Sequence, residues 1–182
     1  MKFKFIAPVA AVLICFGSSL FGQTISLKTK SLTIDFQVGD EGRLYQRPIG
    51  ADDPSAKLKR NQEFYPQAGD GYVWEPALQA VHADGNTSTM LGYDDVMQTN
   101  ESAEIQLTRI HLHDPAYPFE VTLCFRTHYD EDVIEQWEEI QHQESGPVLL
   151  QRMASSSLLF ATNVYLTHFF GDWADEMLSP IT

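Results

Sequence analysis

Two histidines and an aspartate stand together at His111-x-His113-Asp114. Residues two apart on a strand point to the same face, so both imidazoles with a carboxylate could share a metal ion. A zinc site needs a third or fourth ligand, and spacing does not set His82 or His128 beside the pair; solvated loop histidines are the plainer reading. His82-Ala83-Asp84-Gly85-Asn86 is similarly divided between a ligand cluster and a hairpin turn built from residues that tolerate left-handed backbone, and the turn fits better. Carboxylates are plentiful, and a glycosidase needs only two of them flanking a sugar ring. Asp130-Glu131-Asp132 with Glu135, Glu138 and Glu139 reads most simply as solvated acidic surface. The aromatic residues Tyr72, Trp74, Tyr93 and Trp173 lie in or next to turn-like segments, where their faces could stack on sugar rings or else pack in the core. Neither Gly-x-Ser-x-Gly nor a Walker phosphate loop occurs.

The elements that must position these residues are bounded by composition. With 182 residues the chain is one domain, or one domain plus appendages. Its 43% hydrophobic content is enough to bury a core, unlike a disordered segment. Twelve Lys and Arg against 25 Asp and Glu leave a formal charge of −13, a field that repels phosphate backbones and anionic headgroups, so no nucleic-acid partner is expected. Lys2 and Lys4 precede an apolar run from Phe5 to Phe16 and then Gly17-Ser18-Ser19, the layout of a secretory signal peptide over residues 1–22. Cleavage near Gln23 would leave an exported domain over 23–182, periplasmic or extracellular, with no membrane attachment once the leader is gone. Removing the two leader lysines leaves 10 basic against 25 acidic residues, a charge of about −15. Cys124 would then be the lone cysteine, and its neighbours Leu123 and Phe125 mark it as a small buried hydrophobe.

From Ile25 the chain reads as short extended segments separated by turns, the pattern of an antiparallel all-β sandwich or barrel. Ile25 to Thr29 and Leu32 to Val38 alternate at period two and form a hairpin candidate. Further strands are expected through Ala77 to His82, Ala103 to Ile110, Phe119 to Tyr129, Pro147 to Leu159 and Val164 to Phe170. Asp84-Gly85-Asn86 and Asp114-Pro115 supply turns. The Pro- and Gly-rich stretch from Arg47 to Gly71 reads as a long surface loop. Val133, Ile134, Trp137 and Ile140 sit at helical spacing, so periodicity alone favours a helix there.

Several motifs in order carry a resemblance. Tyr65-Pro66-Gln67-Ala68-Gly69, Glu75-Pro76-Ala77-Leu78, His82-Ala83-Asp84-Gly85-Asn86, Asp114-Pro115-Ala116-Tyr117-Pro118-Phe119-Glu120-Val121, Glu131-Asp132-Val133-Ile134-Glu135-Gln136-Trp137 and Gly171-Asp172-Trp173-Ala174-Asp175-Glu176-Met177 are similar to the N-terminal domain of glycoside hydrolase family 36 α-galactosidases. The resemblance spans Gln23 to Pro180 and looks closest to exported members from Bacteroides-like bacteria. It implies a β-supersandwich of the galactose-mutarotase type, preceding a (β/α)8 barrel and a small C-terminal β-domain. It also implies that the segment around Trp137 is a strand. In the family two barrel aspartates hydrolyse terminal α-D-galactosides of the raffinose and melibiose type with retention. This chain holds no counterpart of those motifs, so no catalytic residue is assigned in it, and no metal or cofactor is expected. Family sandwiches continue past the Gly-Asp-Trp motif, so the domain is expected to be incomplete at its C-terminal edge and the chain to be a fragment without the barrel, inactive alone.

In tetrameric relatives a loop of this domain reaches the active-site mouth of a neighbouring subunit, and it corresponds to Gly69 to Trp74. A carboxylate near its middle helps to bind galactose; here Asp70 is nearby and Tyr72 falls at the matching position. Asp70, Tyr72 and Trp74 are therefore the substrate-proximal candidates. The implied partners are α-galactoside oligosaccharides, a barrel of the same or a neighbouring chain, and further copies in a homo-oligomer. Two other readings stay open. One is a stand-alone carbohydrate-binding module using Arg47 to Trp74. The other is a mutarotase-like enzyme, in which His82, His111 or His113 would converge with a glutamate in one pocket.

Overall fold

The computed structural model describes residues 22–51, 58–69, 71–161 and 165. Nine strands follow in order: β1 (Thr24–Lys28), β2 (Thr33–Val38), β3 (Leu44–Gln46), β4 (Leu78–Val81), β5 (Gly92–Asn100), β6 (Ile105–His113), β7 (Phe119–His128), β8 (Val133–His142) and β9 (Leu149–Met153). Among the described residues the only helical turns are two short 3-10 segments, Asp40–Gly42 and Arg60–Gln62. All strand pairings are antiparallel: β1-β2-β3 form one sheet, β5-β6-β7-β8 a second, and β4-β9 a two-stranded ribbon.

Period-two alternation builds the sandwich. Ile25 and Leu27 of β1 and Ile34, Phe36 and Val38 of β2 turn inward, while Ile110 and Leu112 of β6 and Phe119, Val121, Leu123 and Phe125 of β7 face them across one continuous core. The join is aromatic. Phe36 packs edge-on against Phe64 at 4.7 Å and tilted against Phe125 at 5.3 Å, tying the two sheets through their middle. Each such buried side chain contributes roughly 1.5–3 kcal/mol by leaving water.

The expected β1–β2 hairpin is present, and the segments expected at Ala77 to His82 and Phe119 to Tyr129 are strands β4 and β7. The strand expected from Ala103 runs three residues past Ile110, and the one expected from Pro147 to Leu159 is confined to Leu149–Met153. Val164 to Phe170, apart from Tyr165, lies outside the described residues, as do the leader segment and the Gly171-Asp172-Trp173 motif.

Two expectations are corrected. The segment with helical periodicity is strand β8, as the family resemblance implied, paired over its whole length with β7; the periodicity misled because its inward positions Ile134, Gln136, Glu138 and Ile140 mix apolar and polar residues. Its outward Trp137 is held under the Arg126 guanidinium, 5.3 Å from the ring centre. The stretch from Arg47 to Gly71 is not all surface: Glu63 to Gln67 run through the interior, where Phe64 completes the aromatic core. Of the two roles open to Tyr93 the core holds: it is 6% exposed and donates its hydroxyl to Gln23 Oε1 at 3.1 Å. Cys124 is buried as expected, on the outward side of β7, and burial followed by the nearby Glu139 pushes its thiol up to about 11.

Glu138 departs from the solvated surface expected of its acidic neighbours. It faces inward opposite Leu123, toward Tyr65, and both Glu138 Oε1 and the Tyr65 hydroxyl are buried without a hydrogen-bond partner of ordinary geometry among the described residues. Burial raises the Glu138 carboxyl above its usual range, and burial and then the facing Glu138 raise the Tyr65 phenol. A carboxyl raised in the folded state adds stability below its unfolded value, and that contribution is lost as pH rises through the folded value. Glu138→Gln is therefore expected to raise the melting temperature at neutral pH, by the equivalent of under about 1 kcal/mol because water still reaches part of the group. Denaturation curves should show that gain vanishing near about pH 4, where the wild-type carboxyl is itself protonated.

Candidate functional site: an aromatic loop on a clamped corner

The segment Tyr65 to Gly69 is fastened to the sandwich before the loop leaves it. The Pro66 carbonyl accepts from the Ala77 and Leu78 amides at 2.8 and 3.2 Å, and the Ala68 amide donates to the Leu78 carbonyl at 2.9 Å. Buried Gln67 spans the gap inward: its Nε2 donates to the Tyr65 carbonyl, and its Oε1 accepts from the Leu91 amide at 2.9 Å. Gly69 then turns at φ +96°, so close to the preceding edge of β5 that a Cβ there would lie 2.4 Å from Ser88 Cα. Only glycine meets both demands.

Beyond this corner the loop is exposed. Val73 is 80% and Trp74 53% exposed, and the Tyr72 and Trp74 rings meet edge to face at 5.3 Å. Arg60 of the second 3-10 turn lies 5.9 Å from the Tyr72 ring centre, and Glu75 pairs with Arg152 of β9 to hold the far end of the loop. The structure thus brings Tyr72 and Trp74 together, with a cation beside them; Asp70 lies outside the described residues. Sequence reasoning missed Arg60, because the 11 residues between it and Tyr72 carry no periodic signal linking them. Two aromatic rings and a guanidinium can grip a sugar or a chain segment.

The histidine motifs serve the scaffold. His82 is fully buried: Nδ1 donates to Glu144 Oε1 at 2.8 Å, Nε2 lies 3.0 Å from Thr89 Oγ1, and the ring stacks on Tyr117 at 3.7 Å. Burial pushes the Glu144 carboxyl up, but the bonds from His82 and from the Ala83 amide outweigh it and hold it below the usual carboxylate range. Asp84-Gly85-Asn86 is a turn, as expected, with Gly85 at φ +86° and the His82 amide donating to the Asn86 carbonyl.

His111 and His113 do share the outward face of β6. His111 Nδ1 bonds Thr122 Oγ1 at 3.1 Å, while the Asp114 carboxylate that would complete a metal site is occupied by three backbone amides, Met90 at 2.7 Å, Ala116 at 2.8 Å and Tyr117 at 3.2 Å. Among the described residues no group of three or more potential ligands could hold a metal ion. His111 and His113 do line one shallow pocket with Glu120, Asp94 and Asp95 on the outer sheet face, whereas the His82–Glu144 pair is interior and does not line it.

Comparison with solved structures finds the same fold in α-galactosidases. The α-galactosidase from Lactobacillus brevis aligns with a TM-score of 0.70 at 22% identity, over 87% of this chain and 27% of that one. The galactosidase domain of an α-galactosidase-sucrose kinase aligns at 0.65 and 19%, over 73% and 24%. A family 36 α-galactosidase from Geobacillus stearothermophilus in complex with raffinose aligns at 0.63 and 19%, also over 73% and 24%. The chain therefore spans about a quarter of the length of the solved structures it matches. No curated protein matches it. The family model for the glycosyl hydrolase family 36 N-terminal domain matches residues 16–179, nearly the whole chain, and the chain belongs to that family.

Proposed function

We propose that the chain is the non-catalytic N-terminal sandwich of an exported α-galactosidase, one that hydrolyses terminal α-D-galactosides with retention through a barrel of the same or a neighbouring chain. The observation that carries the reading is the family match over residues 16–179. Relatives solved with raffinose and stachyose support the substrate class. The loop from Gly69 to Trp74 is the substrate-proximal part, with Asp70, Tyr72 and Trp74 as its candidate contacts, the Trp74 ring exposed and the Tyr72 ring half-buried against it. Leu149 and Met153 of β9, with Leu158 and Phe160 beyond it, are exposed apolar side chains of the kind that a barrel or a second copy would cover. The leader layout of residues 1–22 supports export.

The test is raffinose hydrolysis by the complete product of the gene that encodes this chain. Release of galactose with the α-anomer formed first is the expected result, and no turnover of any α-galactoside would overturn the reading. In that enzyme Trp74→Ala is expected to raise KM about tenfold with kcat nearly unchanged, the scale of one lost aromatic contact of about 1.4 kcal/mol. An unchanged KM would remove Trp74 from the sugar site. Sugar binding without turnover by the complete product would instead favour a binding module.

A further inference from the structure

The far end of the sandwich carries a second concavity. It measures about 390 Å³ and is lined by the end of β1, the β5–β6 turn and the start of the β7–β8 turn. Tyr129 forms one wall. The residue is 46% exposed while its backbone is pinned on both sides, the amide donating to the Glu104 carbonyl at 2.9 Å and the carbonyl accepting from the Lys30 amide at 3.0 Å. The platform is thus rigid without help from the side chain.

Around this ring stand polar groups of every hydrogen-bonding type. Lys28 offers an ammonium and Glu104 a carboxylate, and neither enters an ion pair among the described residues. Asn100 Oδ1 accepts from Gln106 Nε2 at 3.0 Å, which fixes the amide plane and leaves the Asn100 Nδ2 protons for another acceptor. One exposed aromatic face ringed by donors and acceptors matches a pyranose, whose ring carbons present an apolar face and whose hydroxyls both give and take hydrogen bonds. An apolar ligand would leave these groups unpaired, and an anionic one would meet Glu104 and a chain of net charge −13.

We propose that this concavity is a binding site for neutral oligosaccharides, with Tyr129 as the stacking platform and Lys28, Asn100 and Glu104 as hydroxyl partners. It is separate from the aromatic loop. That loop rests on Ser88, just before β5, whereas Asn100 ends the strand eight residues from Gly92, roughly 26 Å away at about 3.3 Å per residue. The site therefore retains a sugar chain without occupying the loop, and it stands whether or not a catalytic barrel accompanies the domain.

The experiment is a titration of the full chain with stachyose, followed by backbone amide chemical shifts. Residues 100–106 and 127–129 are expected to shift together with a dissociation constant on the order of 1 mM. Tyr129→Ala should weaken that binding about tenfold while leaving the amide shifts of β6 and β7 in place, since the hydrogen bonds that hold this turn are made by the Tyr129 backbone, while Tyr129→Phe should stay within about threefold. Trigalacturonate should produce no shifts there. Absence of shifts at these amides, shifts confined to residues 71–76, wild-type affinity in Tyr129→Ala, or equal binding of trigalacturonate would each overturn the proposal.

Discussion

Replacing Gly69 by alanine is expected to destabilise the domain by about 3 kcal/mol or more, and to loosen the aromatic loop before the rest of the sandwich. Two costs add. The backbone at φ +96° is one that a side-chain-bearing residue adopts only with strain of about 1–3 kcal/mol. The added methyl would sit 2.4 Å from Ser88 Cα and 2.8 Å from its Cβ. The first of these is backbone, which cannot swing aside, so either the strand entering β5 or the clamp at Gln67 must shift. Gln67 is the more consequential of the two, because its side chain bridges the Tyr65 carbonyl and the Leu91 amide in the interior. Urea denaturation should show the lost stability. Amide exchange in residues 65–76 should accelerate more than in β6 and β7. Equal protection throughout would mean that the corner does not hold the loop. Gly71, also at positive φ but with open space around it, should tolerate alanine at the cost of backbone strain alone.

Asp114→Ala is expected to cost a similar amount, about 3 kcal/mol, by a different route. Its carboxylate satisfies the amides of Met90, Ala116 and Tyr117 at once, so one substitution strands three donors at about 1 kcal/mol each. The bond to Met90 reaches across to the segment that leads into β5, while the two others shape the turn into β7. Asp114→Asn separates the roles: its carbonyl oxygen can still serve Ala116 and Tyr117, but its amide nitrogen cannot accept from Met90. Thermal or urea melts should therefore place the asparagine variant between wild type and alanine. Were Asp114 a metal ligand instead, both variants would lose metal-dependent stabilisation equally, and a chelator would reproduce the loss in the wild type.

These two residues also show what the motifs mean. Tyr65-Pro66-Gln67-Ala68-Gly69 and the run from Asp114 are among the segments that carry the family resemblance, and their polar side chains Gln67 and Asp114 are spent on backbone groups of this domain. They fix corners. Gln67, His82 and Asp114 each use a buried polar side chain to satisfy backbone or side-chain groups that no strand partner reaches, which is costly to lose and specific in shape. A motif of polar residues thus marks the frame from which the exposed loop and the far concavity are presented.

The sequence by itself determined the all-β class, the β1–β2 hairpin, the turns at Asp84 and Asp114, the buried nature of Cys124 and, through the spaced motifs, the family. Those features depend on local rules: alternation at period two, turn residues and composition. Only the tertiary structure decided the rest. By periodicity strand β8 looked helical because its inward face carries Gln136 and Glu138; the family motif implied a strand, but only the full register with β7 shows which side each residue takes. Strand β5 left no clear signal, since it is paired on one edge only and is interrupted by an irregularity between Tyr93 and Asp95. Phe64 could not be told from a loop residue until Phe36 and Phe125 were seen to close on it, and Tyr93 could not be told from a surface ring until Gln23 was seen to cap its hydroxyl. The placing of Arg60 beside Tyr72, and of Lys28 and Asn100 around Tyr129, is likewise beyond any local pattern. Side-chain type and spacing report what neighbours along the chain can do, whereas these sites are made where segments distant in sequence meet across the sandwich, and that meeting is set by the packing of the whole core.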